Sequence, residues 1–253
     1  MAQIARVVAV GASNLTRGFH AVLDASRTAW GRDVQVLAAL GHGRSYGATS
    51  RVLVRTLPGI LDCGLWRTLA TLPPVPTRAI VTDVGNDILY GCSAGQILAW
   101  VEETVARLLC ITPDITLTGL PLASVRGLSR AKYLAFRSVL FPHCRLPLSH
   151  VLEAVTTIDA GLAALARTRG IRLLTMDPGW YGFDPIHIRR SCWKAAWETI
   201  LQTPVTVPSG RNSVLEGLRL ALMAPERRSI LGIERHAPQT GVALHGGGRV
   251  WLY

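Results

Sequence analysis

The sequence lacks the features that mark nucleic-acid-binding proteins. Only two of its 27 basic residues are lysine, Lys132 and Lys194, and the arginines behind the formal net charge of +11 are spread along the chain. Nucleic-acid surfaces usually combine a clustered basic stripe with stacking aromatic side chains. Aromatic residues make up only 6% of this sequence. We therefore do not expect nucleic acid as a partner.

Cysteines and long apolar runs are also scarce. The five cysteines form no C-x-x-C pair, so their pattern predicts free thiols and neither a zinc site nor a disulfide framework. No uninterrupted apolar run approaches the ~18 residues of a membrane-spanning helix. The N-terminus lacks the charged and then apolar stretch of a secretory signal. The expectation is a cytoplasmic protein without a transmembrane segment.

Short apolar runs that alternate with longer helical patterns fill residues 4–201. Such alternation predicts βαβ units and a parallel sheet. The predicted strands are Ile4–Val10, Val34–Leu40, Arg78–Val84, Ile115–Leu120 and Ile171–Met176. The predicted helices are Leu15–Ala29, Ser50–Asp62, Ala94–Leu109, Ser129–Leu140, Val151–Thr168 and Ser191–Leu201. The predicted fold class is α/β, a three-layer α/β/α sandwich with a parallel sheet of about five strands.

The pattern changes beyond residue 201, where prolines break the chain into short segments. We expect a short helix near Ser213–Met223 and a terminal hairpin within Val242–Tyr253. Residues 1–201 then form the main domain, and residues 202–253 form a C-terminal extension docked on it. The hairpin is too apolar to stand alone in water. It must cover an edge of the domain or pair with a second copy of the chain, which would make a homo-oligomer.

Polar side chains follow three of the predicted strands. Ser13 comes after the first strand, Asn86 after the third, and Asp184 and His187 after the fifth. Each has a simpler explanation by itself: a helix cap, a turn residue and a surface contact. Carboxyl ends of parallel strands, however, meet at one edge, where open α/β sheets bind ligands. A nucleotide-binding enzyme is disfavoured because Gly11–Gly18 contains neither G-x-G-x-x-G nor a phosphate-loop motif.

These residues carry a resemblance to a known superfamily. Gly11-Ala12-Ser13-Asn14-Leu15, Gly85-Asn86-Asp87 and Asp184-Pro185-Ile186-His187 resemble the nucleophile, G-x-N-D and D-x-x-H blocks of the SGNH (GDSL-type) hydrolases. The resemblance covers residues 4–201 in order and implies that family's flavodoxin-like fold. One residue departs from the pattern, because Ala12 stands where the family usually has an aspartate.

The resemblance implies a role for each residue. Ser13 would be the nucleophile, His187 the general base and Asp184 the residue that orients the imidazole. The oxyanion hole would consist of the Ser13 N–H, the Asn86 amide and the N–H of a glycine after the second strand. Gly47 fits the family pattern better there, and Gly43 is the alternative. No metal or organic cofactor is implied.

The sequence therefore predicts a serine esterase of SGNH type that hydrolyses a carboxylic ester or transfers its acyl group. The substrate would be a small-molecule, carbohydrate or lipid ester. The alternative is an SGNH-fold binding or scaffolding protein with little or no turnover, which the unusual Ala12 and the extension suggest.

Overall fold

A computed structural model describes residues 4–140, 144–203, 220, 222–244 and 247–253. The helix expected at residues 213–223 falls almost entirely outside the described residues. The strands in the described part are β1 Arg6–Val10, β2 Gln35–Ala39, β3 Ser50–Val52, β4 Arg55–Leu57, β5 Thr77–Val81, β6 Ile115–Thr118, β7 Arg172–Leu174, β8 Arg227–Ile230, β9 Ile233–His236, β10 Val242–Ala243 and β11 Arg249–Leu252. The helices there are α1 Ser13–Arg17, α2 Phe19–Trp30, α3 Leu65–Thr71, α4 Asn86–Leu89, α5 Ala94–Leu109, α6 Leu122–Arg126, α7 Arg130–Leu140, α8 Leu148–Arg169 and α9 Trp193–Ile200.

Seven of these strands form the central sheet, in the order β10-β11-β2-β1-β5-β6-β7. The five predicted strands are all present in it and pair in parallel. Only β10 runs antiparallel, to β11. Because the parallel strands share one direction, their carboxyl ends lie at one edge of the sheet.

The central strand β1 shows why the sheet is covered on both faces. All five of its residues are buried, and side chains alternate between the two faces of a strand. Val8 and Val10 pack into a core with α3, α5 and α8. Val7 and Ala9 pack into a second core with α2 and α9. These two cores make the three-layer α/β/α sandwich that the sequence predicted.

Helix α8 is the longest element of the described chain. Its 22 residues are long and apolar enough to span a membrane by length and composition alone. Core helices of globular proteins pass the same test, and α8 packs into the core on the α3–α5 side of the sheet. Its buried residues recur at helical spacing: Val151, Val155, Ile158, Leu162 and Ala166.

Two predicted helices differ in the structure. The helix expected at Leu15–Ala29 is broken at Gly18 into α1 and α2. A Cβ at Gly18 would lie 2.1 Å from Trp197 Nε1, so close packing of α9 requires glycine there. The helix expected at Ser50–Asp62 is wrong, because this segment forms β3, β4 and a short 3-10 helix.

Strands β3 and β4 belong to a second, antiparallel sheet with the order β3-β4-β8-β9. β8 and β9 lie about 170 residues further along the chain. The described part of the extension therefore contributes to both sheets, since β11 also pairs in parallel with β2. The division of the chain at residue 201 stays a prediction.

Candidate active site

The four polar residues singled out in the sequence lie at the carboxyl edge of the central sheet. Ser13 is the first residue of α1, three residues after β1 ends. Asn86 opens α4 after β5, and Asp184 and His187 lie in the loop between β7 and α9. Three separate loops thus bring these side chains together.

A chain of hydrogen bonds joins Ser13, His187 and Asp184. Ser13 Oγ lies 2.9 Å from His187 Nε2, and His187 Nδ1 lies 2.7 Å from Asp184 Oδ2. The second oxygen of Asp184 accepts the N–H groups of Ile186 and His187, each at 3.2 Å. With the ring proton on Nδ1, Nε2 can accept a proton from the serine hydroxyl.

The charge state of Asp184 suits this arrangement. Burial raises its pKa, but the hydrogen bond and charge of His187, together with the two backbone N–H groups, hold the net pKa below its usual value. Arg17 Nη1 lies 3.8 Å from Asp184 Oδ2. Because both side chains are partly exposed, that ion pair adds little stability. The carboxylate is therefore ionised at neutral pH and can fix the imidazole.

Asn14 and Asp83 are site residues that the sequence reasoning missed. The Asn14 side chain donates to Asp83 Oδ1 at 2.8 Å and to the Ile186 carbonyl at 2.9 Å, and it accepts the Ile188 N–H at 2.8 Å. It thereby ties the loop that carries His187 to the turn that carries Ser13. The one signal in the sequence was a lone carboxylate at the end of an apolar strand.

Asp83 itself anchors the nucleophile turn. Its Oδ2 accepts the backbone N–H groups of Ala12 at 2.9 Å and Leu15 at 3.1 Å. Its backbone has a φ of +61°, a left-handed conformation that non-glycine residues adopt rarely and that clusters at functional sites. A carboxylate at the end of β5 thus holds the turn that contains Ala12 and Ser13.

Asn86 and Ser13 line a cleft that opens at this edge of the sheet. Among the described residues the Asn86 amide has one long contact, 3.4 Å from Nδ2 to the Asp83 carbonyl, and it is therefore available to a ligand. The cleft runs between the carboxyl ends of β5 and β6 and the helices α4, α6, α7 and α8, and the space between its walls, open mouth included, is about 1040 Å³. Most of its walls are aliphatic: Val84, Ile88, Leu89, Leu120, Val125, Leu128, Val151, Val155, Met176 and Ile186.

The two glycines proposed for the second block have different surroundings. Gly47 is packed against α5, since a Cβ there would lie 2.1 Å from a ring carbon of Trp100, and neither Gly47 nor Gly43 is among the described residues that line the cleft. Gly43 has a φ of +63° and its carbonyl accepts the Tyr90 hydroxyl at 2.6 Å. Its neighbour His42 lies near enough to the triad for the charge of His187 to act on it. Burial is the main cause that lowers the pKa of His42, and the charges of Arg55 and His187 lower it further.

Asp87 holds two of these loops together from a buried position. Its Oδ2 accepts the Tyr46 N–H at 3.1 Å, and its Oδ1 is buried with no hydrogen-bond partner among the described residues. Burial raises its pKa to about 6, against the smaller effect of hydrogen bonds from Ser45 and Tyr46. This geometry agrees with a structural role in the turn.

Other chemistry has less support at this edge. Among the described residues, no group of three or more histidine, cysteine, aspartate or glutamate side chains is placed to hold a metal ion. The arrangement that is present contains a hydroxyl, an imidazole, a carboxylate and nearby hydrogen-bond donors. That set can perform nucleophilic acyl chemistry.

Comparisons with known proteins bear on the fold. No family model matches the sequence, and no curated protein does. A member of the lipolytic protein G-D-S-L family from Veillonella parvula is 11% identical over 80% of this chain and 100% of its own, with a TM-score of 0.51. Est24, a carbohydrate acetylesterase from Sinorhizobium meliloti, is 14% identical over 78% of this chain and 97% of its own, also with a TM-score of 0.51. The chain therefore has the fold of the SGNH (GDSL-type) hydrolases.

Proposed function

We propose that this protein is a serine esterase that cleaves carboxylic esters through a covalent acyl-enzyme. Of the solved structures that share its fold, Est24 is an acetylesterase by name and the Veillonella parvula protein belongs to a lipolytic family, which supports ester hydrolysis in general. The observation that carries the proposal is the hydrogen-bonded row Ser13–His187–Asp184 at the mouth of an apolar cleft.

The chemistry follows from the two short contacts of His187. As Ser13 Oγ attacks the ester carbonyl carbon, its proton passes to His187 Nε2 over the 2.9 Å contact. Asp184 keeps the imidazole in the required tautomer and stabilises its cation. His187 then returns the proton to the leaving alkoxide, which departs as the alcohol. A water molecule, deprotonated by the same histidine, hydrolyses the acyl-enzyme. A second alcohol in place of water would give acyl transfer.

The negative charge on the tetrahedral intermediate needs donors close to Ser13. Ser13 opens α1, so its N–H is one of those that a helix leaves without an intrahelical acceptor. The Asn86 amide faces the same cleft. For the third donor we propose the N–H of Gly47, as the family pattern implies, with Gly43 as the alternative. Loss of one such donor typically costs roughly 10²–10³ in rate.

The cleft indicates the kind of acyl group. Its walls are mostly aliphatic from the catalytic edge down to Val151 and Val155 of α8, although Arg137 of α7 also lines it, so a bound hydrocarbon chain would be removed from water along most of its length. Each buried methylene contributes about 0.8 kcal/mol. We therefore propose esters with an apolar acyl chain longer than acetyl as the preferred substrates.

Fluorophosphonate labelling and an ester panel test the proposal together. Wild-type protein should be labelled and should hydrolyse p-nitrophenyl esters, with an increase in kcat/KM from acetate to longer acyl chains. Ser13→Ala and His187→Ala should each lose several orders of magnitude of turnover. Ser191→Ala, which changes an exposed serine outside the cleft, serves as the matched control.

Two results would overturn the proposal. If Ser13→Ala keeps more than about a tenth of the wild-type turnover, Ser13 is not the nucleophile. If wild-type protein is folded yet neither labelled nor active on any ester, the binding or scaffolding alternative replaces the enzyme.

A further inference from the structure

The second sheet ends in a patch of exposed apolar side chains that neither core explains. Leu53 and Val54 form the turn between β3 and β4, and they are 85% and 50% exposed. Leu231 and Ile233, at the turn between β8 and β9, are 73% and 60% exposed. The Leu231 N–H donates to the Val54 carbonyl at 2.9 Å. The two turns therefore lie side by side, and we call them the paired tips.

The backbone of the paired tips is strained at both leucines. Leu53 has a φ of +54° and Leu231 a φ of +51°. Such turn positions usually hold glycine, asparagine or aspartate, which tolerate a positive φ. A leucine there raises the energy of the fold and, when exposed, gains no packing in return. Strain of this kind without a structural benefit points to a function for the side chains.

The charges of the second sheet, which carries the paired tips, are almost all positive. The four strands and two turns contain five arginines, Arg51, Arg55, Arg227, Arg228 and Arg235, and one acidic residue, Glu234. Glu234 Oε2 is itself 3.7 Å from His236 Nε2. Apolar side chains flanked by arginines are the combination that binds the interface of anionic membranes. Two narrow turns supply far less area than the ~800 Å² per partner of a typical protein interface.

The position of the small sheet relates the paired tips to the catalytic edge. A Cβ at Gly43 would lie 2.6 Å from Val52 Cγ2, so β3 packs on the loop that holds Gly43. That loop also contains His42, whose pKa is lowered by burial and by the charges of Arg55 and His187. The tips thus stand on an element that borders the active-site loop.

We infer that the paired tips, residues 53–54 and 231–233, dock this protein on an anionic lipid surface. Leu53, Val54, Leu231 and Ile233 enter the interface, and the exposed arginines of the second sheet, Arg51, Arg227 and Arg235, contact lipid phosphates. The inference concerns binding and does not depend on ester turnover, so the Ser13→Ala variant should dock as the wild type does.

Vesicle co-sedimentation tests the inference directly. The full chain should sediment with vesicles of phosphatidylcholine and phosphatidylglycerol roughly tenfold more than with phosphatidylcholine alone, and high salt should reduce the difference. The double variant Leu53→Asn with Leu231→Asn should lose roughly tenfold or more of this binding. Because asparagine accepts a positive φ, the melting temperature of the double variant should be equal to or above that of the wild type.

The chain offers a matched control in Leu222, which is 84% exposed but lies outside the four strands. Leu222→Asn should bind vesicles as the wild type does. The inference falls if the wild type binds neither vesicle, or if the double variant binds as well as the wild type. It also falls if the wild type does not bind vesicles but is a dimer by light scattering and the double variant is a monomer. The paired tips would then contact a second copy of the chain.

Discussion

At the residue scale, the active site depends on hydrogen bonds that position the nucleophile as much as on the row of reacting groups. Asp83 accepts two backbone N–H groups of the Ser13 turn and the side-chain amide of Asn14, and Asn14 holds the loop of His187. If either bond set loosens, Ser13 Oγ and His187 Nε2 drift apart. Errors of about 1 Å between reacting groups can cost about 10² in rate.

Asp83→Asn tests this positioning role. An amide can replace only part of the carboxylate's acceptor capacity, because its NH₂ end would face donors. We expect kcat to fall by up to about 10² with KM little changed. Fluorophosphonate labelling should slow in parallel, and the melting temperature should stay near that of the wild type. Asp62→Asn, at an exposed site, is the control. Equal kcat values for Asp83→Asn and the wild type would show that Asp83 does not position Ser13.

The buried carboxyl of Asp87 should make the stability of the protein depend on pH. Burial raises its pKa from the usual 3.8 to about 6, so the fold favours the neutral carboxyl. The stability that this group contributes is fully present below pH 3.8 and is lost as the pH rises through about 6. Asp87→Asn stays neutral throughout. Its free energy of unfolding, relative to the wild type, should rise between pH 4 and pH 8 by up to about 3 kcal/mol.

Urea unfolding at the two pH values measures that difference. Asp33→Asn is a suitable control because Asp33 is exposed, and its difference from the wild type should not follow the same course. A difference between Asp87→Asn and the wild type that is constant with pH would mean that Asp87 is ionised without penalty.

At the element scale, the helices that cover the catalytic edge determine which acyl groups fit. Val151, on α8, lines the cleft and is buried, whereas Leu152 on the same helix does not line it. Val151→Phe should fill space that a long acyl chain would occupy. We expect kcat/KM for a p-nitrophenyl decanoate to fall about tenfold relative to acetate, as displacement of two methylenes would cause.

The matched variant Leu152→Phe should leave the ratio of the two esters near that of the wild type. If Val151→Phe lowers acetate and decanoate hydrolysis equally, the cleft is not the acyl pocket and the change acts through the fold.

Strands and helices with a clear pattern of apolar residues were predicted from the sequence. The short strands that depend on a distant partner strand were not. The five parallel strands and the long helix α8 carry apolar patterns that are set locally. β3 and β4 are three residues each, and β4 is held by β8 from far along the chain. Nothing in the sequence of Ser50–Asp62 itself indicates that partner strand. The helical spacing of the apolar residues in this segment therefore led to the wrong prediction of a helix.

Site residues at the ends of parallel strands could be predicted from the sequence. Ser13, Asn86, Asp184 and His187 follow strands, and the direction of parallel strands gathers them without knowledge of any contact. The bond between Asn14 and Asp83 joins residues 69 apart in sequence and depends on how two loops fold over the edge. Side-chain contacts between loops of this kind are not encoded in spacing.

At the scale of the whole molecule, the extension and the main domain share one sheet. β11 lies parallel to β2, with Trp251 opposite Leu37. Its side chains alternate between the two cores, since Val250 and Leu252 enter one and Trp251 enters the other. The pairing covers the edge of β2, which would otherwise offer unpaired backbone groups. Pairing of a second copy through the hairpin stays a prediction, for which β10 is the edge strand.

Trp251 allows the contribution of this strand to be measured without removing it. The indole is buried, and a Cβ at Gly241 would lie 2.3 Å from its Cζ2 atom, so the surroundings fit it closely. Trp251→Ala should lower the free energy of unfolding by about 3–5 kcal/mol, and Trp251→Phe by less, because the phenyl ring refills part of the space. Leu222→Ala, at an exposed position, should stay within about 0.5 kcal/mol of the wild type. Since Ser13 lies at the carboxyl edge of β1, on the far side of β2 from β11, the folded fraction of Trp251→Ala should still react with a fluorophosphonate. A stability equal to that of the wild type would mean that β11 is not part of the cooperative core, and loss of labelling in folded protein would mean that the extension shapes the active site.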